Sequence, residues 1–237
     1  MLTDEKGFTP EAVMTPLVYR VEVGIFLMLI VPSMVLSYFA VSQGTVGFML
    51  TASAAIFRDV GLVALILFFV WRDREPLRDL GLRWSRRSWR EVGLGVVLFV
   101  PFFFGTNWLE RLFVSLGLSL PKASNPISVP SSTTTEIVMG TLLVVVVAFS
   151  EELIFRGYLI DRFRGSGLGT ASAVALSTVV FALGHGYEGT AGIATVGVMG
   201  LVFALVYLWR KSLTASMTIH FLQDLLVVVA VPLLFRR

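Results

Sequence analysis

What most restricts the fold of this sequence is its succession of apolar stretches, several of them uncharged for about 18 residues or more, enough to cross roughly 30 Å of hydrocarbon. The spans read as residues 17–41, 46–71, 92–117, 134–160, 168–184, 190–209 and 212–235. The fold class expected is all-α, a polytopic transmembrane helical bundle of about seven to eight helices. Composition agrees, with 56% hydrophobic residues and a mean hydropathy of +0.83. One integral membrane domain, residues 1–237, accounts for the whole chain. Its N-terminus is expected to be retained, because Asp4, Glu5, Lys6 and Glu11 fill the segment where a signal peptide would have a basic region and a short apolar core.

The formal charge of +3 and the pI near 9.5 do not point to nucleic acid. The basic excess is concentrated in the 72–90 connection, where Arg72, Arg74, Arg78, Arg83, Arg86, Arg87 and Arg90 face only Asp73, Glu75 and Asp79. The 119–135 connection carries Lys122 alone. By the positive-inside rule the Arg-rich loop is cytoplasmic. Alternation then puts Arg162 and Arg164 inside, Glu188 outside, and Arg210 and Lys211 inside. The terminal Arg236-Arg237 falls outside, against the rule, and a further short or re-entrant segment or a shallow last helix would remove the conflict. Trp71, Trp84, Trp89 and Trp209 lie near span ends and fit an interfacial belt. Pro32 and Pro101 are expected to kink their helices, and the small residues of the 168–184 and 190–209 spans allow close helix approach. With no cysteine there are no disulfides, thiolate metal sites or cysteine nucleophiles.

Against this background the ionisable residues inside the spans stand out. Each costs at least about 3 kcal/mol at a helix centre, so a group of them is a functional-site hypothesis. Glu151-Glu152-Leu153-Ile154-Phe155-Arg156 follows the uncharged run 137–150. Glu152 and Arg156 are four apart, about 40° around an α-helix, the spacing of an ion pair. Glu151 points about 100° away, free to meet other helices. His185 closes the run Phe181-Ala182-Leu183-Gly184-His185, and His220 and Asp224 are one turn apart. A depth estimate at 1.5 Å per residue puts Glu151 and Asp224 each roughly 18 Å from the inner end and His220 roughly 12 Å, with His185 too high at roughly 27 Å. Tilt, or a short break after Arg156, would absorb the misfit. Arg58-Asp59 and Glu110-Arg111, which interrupt the second and third spans, read as locally compensated pairs or interface breaks.

The order Glu-Glu-x-x-x-Arg, Phe-x-x-x-His, His-x-x-x-Asp, each on a membrane helix, resembles the CPBP family (Abi, type II CAAX prenyl endopeptidase, Rce1-like) of intramembrane proteases. The resemblance covers a core of about residues 134–226, and the first three spans match only as hydrophobic helices. It implies that Glu151 and His185 activate the attacking water, that His220 and Asp224 bind the oxyanion or orient the substrate, and that Glu152 and Arg156 support the motif helix. Asp224 departs from the Asn of the best-studied members, and an ionised carboxylate is a poor oxyanion donor. The resemblance leaves the cofactor open between none and a divalent metal such as zinc on Glu151, His185, His220 and Asp224. The implied partners are the lipid bilayer and a membrane-associated peptide or protein substrate, and the expected location is a prokaryotic plasma membrane.

The residues themselves suit hydrolysis, since a buried carboxylate beside a neutral imidazole can take and return a proton. Other peptidase signatures, HExxH, GxGD and GxSxG, are absent. The Gly165–Gly169 segment is a turn, not a phosphate cradle. The alternative reading is a proton-coupled transporter or channel subunit using the same residues as a relay, but the paired repeats of that class are not evident.

Overall fold

The computed structural model describes residues 14–42, 47–83, 88–121 and 133–234. Trp84, Arg86, Arg87, Lys122, Arg236, Arg237 and the acidic N-terminal residues lie outside them.

Among the described residues the chain forms seven helices and no strand. They are α1 Pro16–Ser42, α2 Phe48–Arg72, α3 Ser88–Ser115, α4 Thr134–Gly165, α5 Thr170–Gly184, α6 Gly189–Arg210 and α7 Thr214–Leu234. Six are long and apolar enough to cross a membrane, and α5 is a shorter apolar helix. The protein is an integral membrane helical bundle, because in hydrocarbon a helix satisfies its backbone groups internally. Trp71, Trp89 and Trp209 are exposed near helix ends, as a belt requires. Pro32 and Pro101 lie inside α1 and α3.

Helix α4 is the centre. Half of its most apolar window is buried, against 39% or less for the other spans, so it is the helix the others enclose. Thr133 caps it, accepting from the Glu136 N–H and donating to the Glu136 carboxylate at 2.6 Å. After Glu151 the helix widens into a π-helical stretch, Glu152–Leu159, in which every residue is buried. Ser177 of α5 ties this stretch down by donating to the Phe155 carbonyl at 2.5 Å. No break follows Arg156: the helix runs on with wider turns. A second π-helical stretch, Leu225–Ala230, begins directly after Asp224 in α7. Such widenings recur at functional sites.

The connection after α2 folds back into the bundle. Gly81 adopts a left-handed conformation (φ 83°) that a side chain would strain, and a Cβ there would stand 2.6 Å from the Tyr207 ring. Its carbonyl accepts the Leu213 N–H at 3.1 Å, and a Cβ on Gly157 would stand 2.7 Å from the Leu80 carbonyl oxygen. The turn therefore inserts between α4, α6 and α7. Helices α5 and α6 also pack closely, with the Gly197 position facing the Ala182 Cβ.

The basic connections share this end of the bundle. Arg210 pairs with Glu91 at 2.6 Å, and Arg162 pairs with Glu75. At the opposite end the Ser119 N–H donates to the Thr190 hydroxyl at 2.8 Å. Near the basic end, fully buried Glu22 of α1 accepts from Arg162 Nε at 2.7 Å, from the Tyr158 hydroxyl at 3.0 Å and from Arg72. Arg162 also meets Glu75 through both terminal nitrogens, at 3.1 and 2.5 Å, and Asp161 at 2.8 Å, while its guanidinium lies 4.7 Å from the Tyr158 ring centre. Arg72 holds Asp73 with two hydrogen bonds of 2.8 and 2.6 Å. Burial opposes the charge on Asp73, but Arg72 outweighs it and holds this carboxyl below its ordinary value. The network joins α1, α2, α4 and the 73–83 connection.

Candidate active site

Two helices, α4 and α7, and the end of α5 bring the motif residues together. From α4, Glu151 and Glu152 leave the start of the π-helical stretch in different directions. Glu152 is fully buried and lies 2.9 Å from Arg156 Nη1, the ion pair expected from their spacing. The contact is one of charge and lacks a hydrogen-bond angle, for neither terminal nitrogen of Arg156 has a hydrogen-bond partner. The Arg156 guanidinium instead lies over aromatic rings, 4.1 Å from the centre of Phe181 and 5.1 Å from that of Phe203. Gly200 of α6 makes room for it, because a Cβ there would stand 3.1 Å from Arg156 Nη2 and 2.9 Å from Phe181.

His220 of α7 is the hub. Its ring stacks on Phe203, with centres 5.1 Å apart and planes 18° apart, and meets Phe181 edge-on. Nδ1 lies 3.2 Å from Glu152 Oε1. With Arg156 beside Glu152, Nδ1 carries a proton towards that carboxylate. Nε2 then faces the other two carboxylates, 3.4 Å from Asp224 Oδ2 and 3.7 Å from Glu151 Oε2. One buried imidazole thus links both glutamates of α4 to the aspartate of α7.

His185 stands just past the end of α5. Its Nδ1 lies 3.0 Å from the Phe181 carbonyl oxygen, and because a carbonyl can only accept, Nδ1 donates. The neutral ring therefore presents a bare Nε2, able to take a proton. Its ring lies 4.9 Å from Phe181 and 6.0 Å from Tyr187. His185 was the residue that fitted the depth estimate least well, yet it lines the same cavity as Glu151 and Asp224.

That cavity has a volume of about 290 Å³. Its apolar wall includes Ile30 and Met34 of α1, Leu62 of α2, Val147 of α4 and Val227 of α7, and its polar groups gather at Glu151, His185, Tyr187, Glu188, Asp224, Arg58 and Asp59. Glu151, Glu152 and Asp59 each keep a buried oxygen without a hydrogen-bond partner among the described residues. Carboxylates withdrawn from water but not satisfied by protein are ready to bind a water or a substrate.

Sequence reasoning undervalued two sets of residues. Arg58 and Asp59 do form the expected local pair, with Nε 2.8 Å from Oδ1, but they stand on the wall of the cavity and not at an interface break. Glu110 and Arg111 make no mutual ion pair and do not line it. Tyr187 and Glu188 were missed, since only the turn after α5 brings them in. The available signal was two opposite charges in the middle of an apolar run.

Among the described residues no three imidazole or carboxylate groups are arranged to hold an ion. Nδ1 of each histidine is committed, to Glu152 in one case and to the Phe181 carbonyl in the other, so Nε2 is the nitrogen each would offer to a ligand.

Residues 133–226 match the family described as type II CAAX prenyl endopeptidase Rce1-like, a segment that contains Glu151, Glu152, Arg156, His185, His220 and Asp224. Over that segment the chain is similar to the Rce1-like family, which is a protease family. No curated protein and no solved structure matches the chain.

Proposed function

We propose that the protein is an intramembrane endopeptidase that hydrolyses a peptide bond of a membrane-associated substrate with a water activated by Glu151 and His185. The observation that carries this reading is that Glu151, His185 and Asp224, from three separate places in the chain, line one cavity with His220 behind them. Glu151 takes a proton from water, and the water oxygen bonds to the carbonyl carbon. As the tetrahedral intermediate collapses, the C–N bond breaks and the proton passes to the departing amine. His185, with Nδ1 fixed on the Phe181 carbonyl, offers Nε2 to hold that water or relay its proton. His220 and Asp224 orient the substrate at the far side of Glu151. Glu152 and Arg156 act through His220: the carboxylate beside Arg156 fixes the orientation of the imidazole. No step is routed through a metal. The basic end of the bundle faces the cytoplasm by the positive-inside rule.

The test compares purified wild type with Glu151→Gln and His185→Ala on a quenched fluorogenic lipid-anchored peptide pool in proteoliposomes, with and without chelator. Both variants are expected to fold and to lose cleavage. Undiminished cleavage by either removes that residue from the mechanism. Chelator inhibition reversed by added metal overturns the metal-free chemistry. Proton flux in preparations that never cleave favours the transporter reading.

A further inference from the structure

The geometry points to Arg58 as a catalytic residue of this site, its guanidinium donating to the oxygen of the attacked carbonyl as that oxygen becomes an anion. This rests on the peptidase reading of the cavity. Arg58 and Asp59 belong to α2, outside the segment that matches the family.

Among the described residues Asp59 is the one hydrogen-bond and ion-pair partner of the Arg58 side chain, through Nε. Among the described residues the two terminal nitrogens and their four N–H groups have no acceptor. The side chain is 30% exposed and lines the cavity that holds Glu151. A guanidinium deep in an apolar helix, held from behind by a buried aspartate and open in front, is arranged to meet a ligand oxygen.

Charge says which oxygen. Asp59, Glu151, Glu188 and Asp224 line the cavity with one guanidinium among them. A substrate carboxylate would be repelled by the three carboxylates not paired with Arg58, whereas an amide carbonyl enters uncharged. When water attacks, the carbonyl π pair moves onto oxygen, and a new negative charge develops where the dielectric is low. Hydrogen-bond donors aimed at that oxygen lower the barrier, and a charged donor does so most strongly. Asp224, when ionised, can only accept hydrogen bonds. His220 Nε2 faces carboxylate oxygens, His185 Nδ1 is used by the Phe181 carbonyl, and Arg156 is buried outside the cavity lining. Arg58 is the remaining cation. Two N–H groups on one planar fork can hold the oxyanion, and when the C–N bond breaks the pair returns to the carbonyl and releases them.

The experiment measures kcat and KM on the same lipid-anchored peptide pool for wild type, Arg58→Lys and the double variant Arg58→Met with Asp59→Asn. The double variant removes both charges and so leaves no buried aspartate unpaired, which keeps the test open if a single substitution misfolds. Thermal melts confirm folding. Loss of an oxyanion donor lowers kcat by about 10²–10³-fold. The expected result is a loss of that order in both variants with KM little changed, and partial recovery of the double variant by added guanidinium ion, which Glu151→Gln does not show. A tetrahedral phosphonate peptide, a mimic of the oxyanion, should lose affinity in step with kcat. Unchanged kcat in a folded variant, or a rise in KM alone, overturns the assignment and leaves the peptidase reading standing. Absence of cleavage by wild type removes both.

Discussion

Two groups of charged side chains are buried in this bundle, and they differ in how completely their charges are matched. Near the basic end, Glu22 receives Arg162, Tyr158 and Arg72, and Arg162 is surrounded by Glu22, Glu75 and Asp161. Among the described residues none of these side chains keeps a buried polar atom without a partner. In the middle of the bundle, Glu151, Glu152, Arg156 and Asp59 all do. Withdrawing a charge from water costs several kcal/mol, so the first group repays that cost with hydrogen bonds between helices and works as a tie. The second leaves part of that cost unmet: Glu151 and Asp59 line the cavity, while the Arg156 guanidinium lies over the rings of Phe181 and Phe203. One cluster holds α1, α2 and α4 together; the other carries the proposed active site.

Substitutions that separate stability from activity sharpen this contrast or break it. The largest effect is expected from Glu151→Gln, which should lower the cleavage rate by about 10²–10⁴-fold while leaving the melting temperature unchanged or raised, since it removes an unsatisfied buried charge. Cleavage and melt measured on one sample check this, and a large loss of stability would show that Glu151 is structural. Arg162→Met should do the reverse. It strands Glu22 and is expected to cost about 3–5 kcal/mol in unfolding free energy, with kcat of the folded fraction close to wild type. Adding Glu22→Gln should restore part of that stability in a double-mutant cycle. If Arg162→Met abolished kcat in folded protein, the two clusters would not be separate.

Smaller effects test the joints. Gly200→Ala places a methyl group 2.9 Å from Phe181 and 3.1 Å from Arg156 Nη2. Overpacking of that kind costs about 1–3 kcal/mol, and because it displaces the residue that fixes Glu152, activity should fall along with stability. Arg210→Ala, at a pair near the surface, is expected to change neither the melt nor the cleavage rate measurably.

The parts of this architecture visible in the sequence were those that follow from helix period and hydrophobic length. The spans followed from apolar runs, the Glu152–Arg156 pair from a spacing of four, and the approach of His220 to Asp224 from the same spacing. The π-helical widening of Glu152–Leu159 was not visible, because no residue type marks an i→i+5 pattern. Glu22 gave no signal, since its burial depends on α1 turning it towards Tyr158 and Arg162. Arg58 and Asp59 were noticed, but their place on the cavity wall depends on how α2 rotates against α4, and that is a property of packing between helices.

The central claim is tested most directly by cleaving a lipid-anchored peptide in water enriched in heavy oxygen and weighing the fragments. The account expects wild type to place one heavy oxygen in each new carboxyl terminus, and Glu151→Gln, folded and embedded in the same vesicles, to yield no labelled fragment. Labelled fragments from Glu151→Gln at the wild-type rate would contradict it.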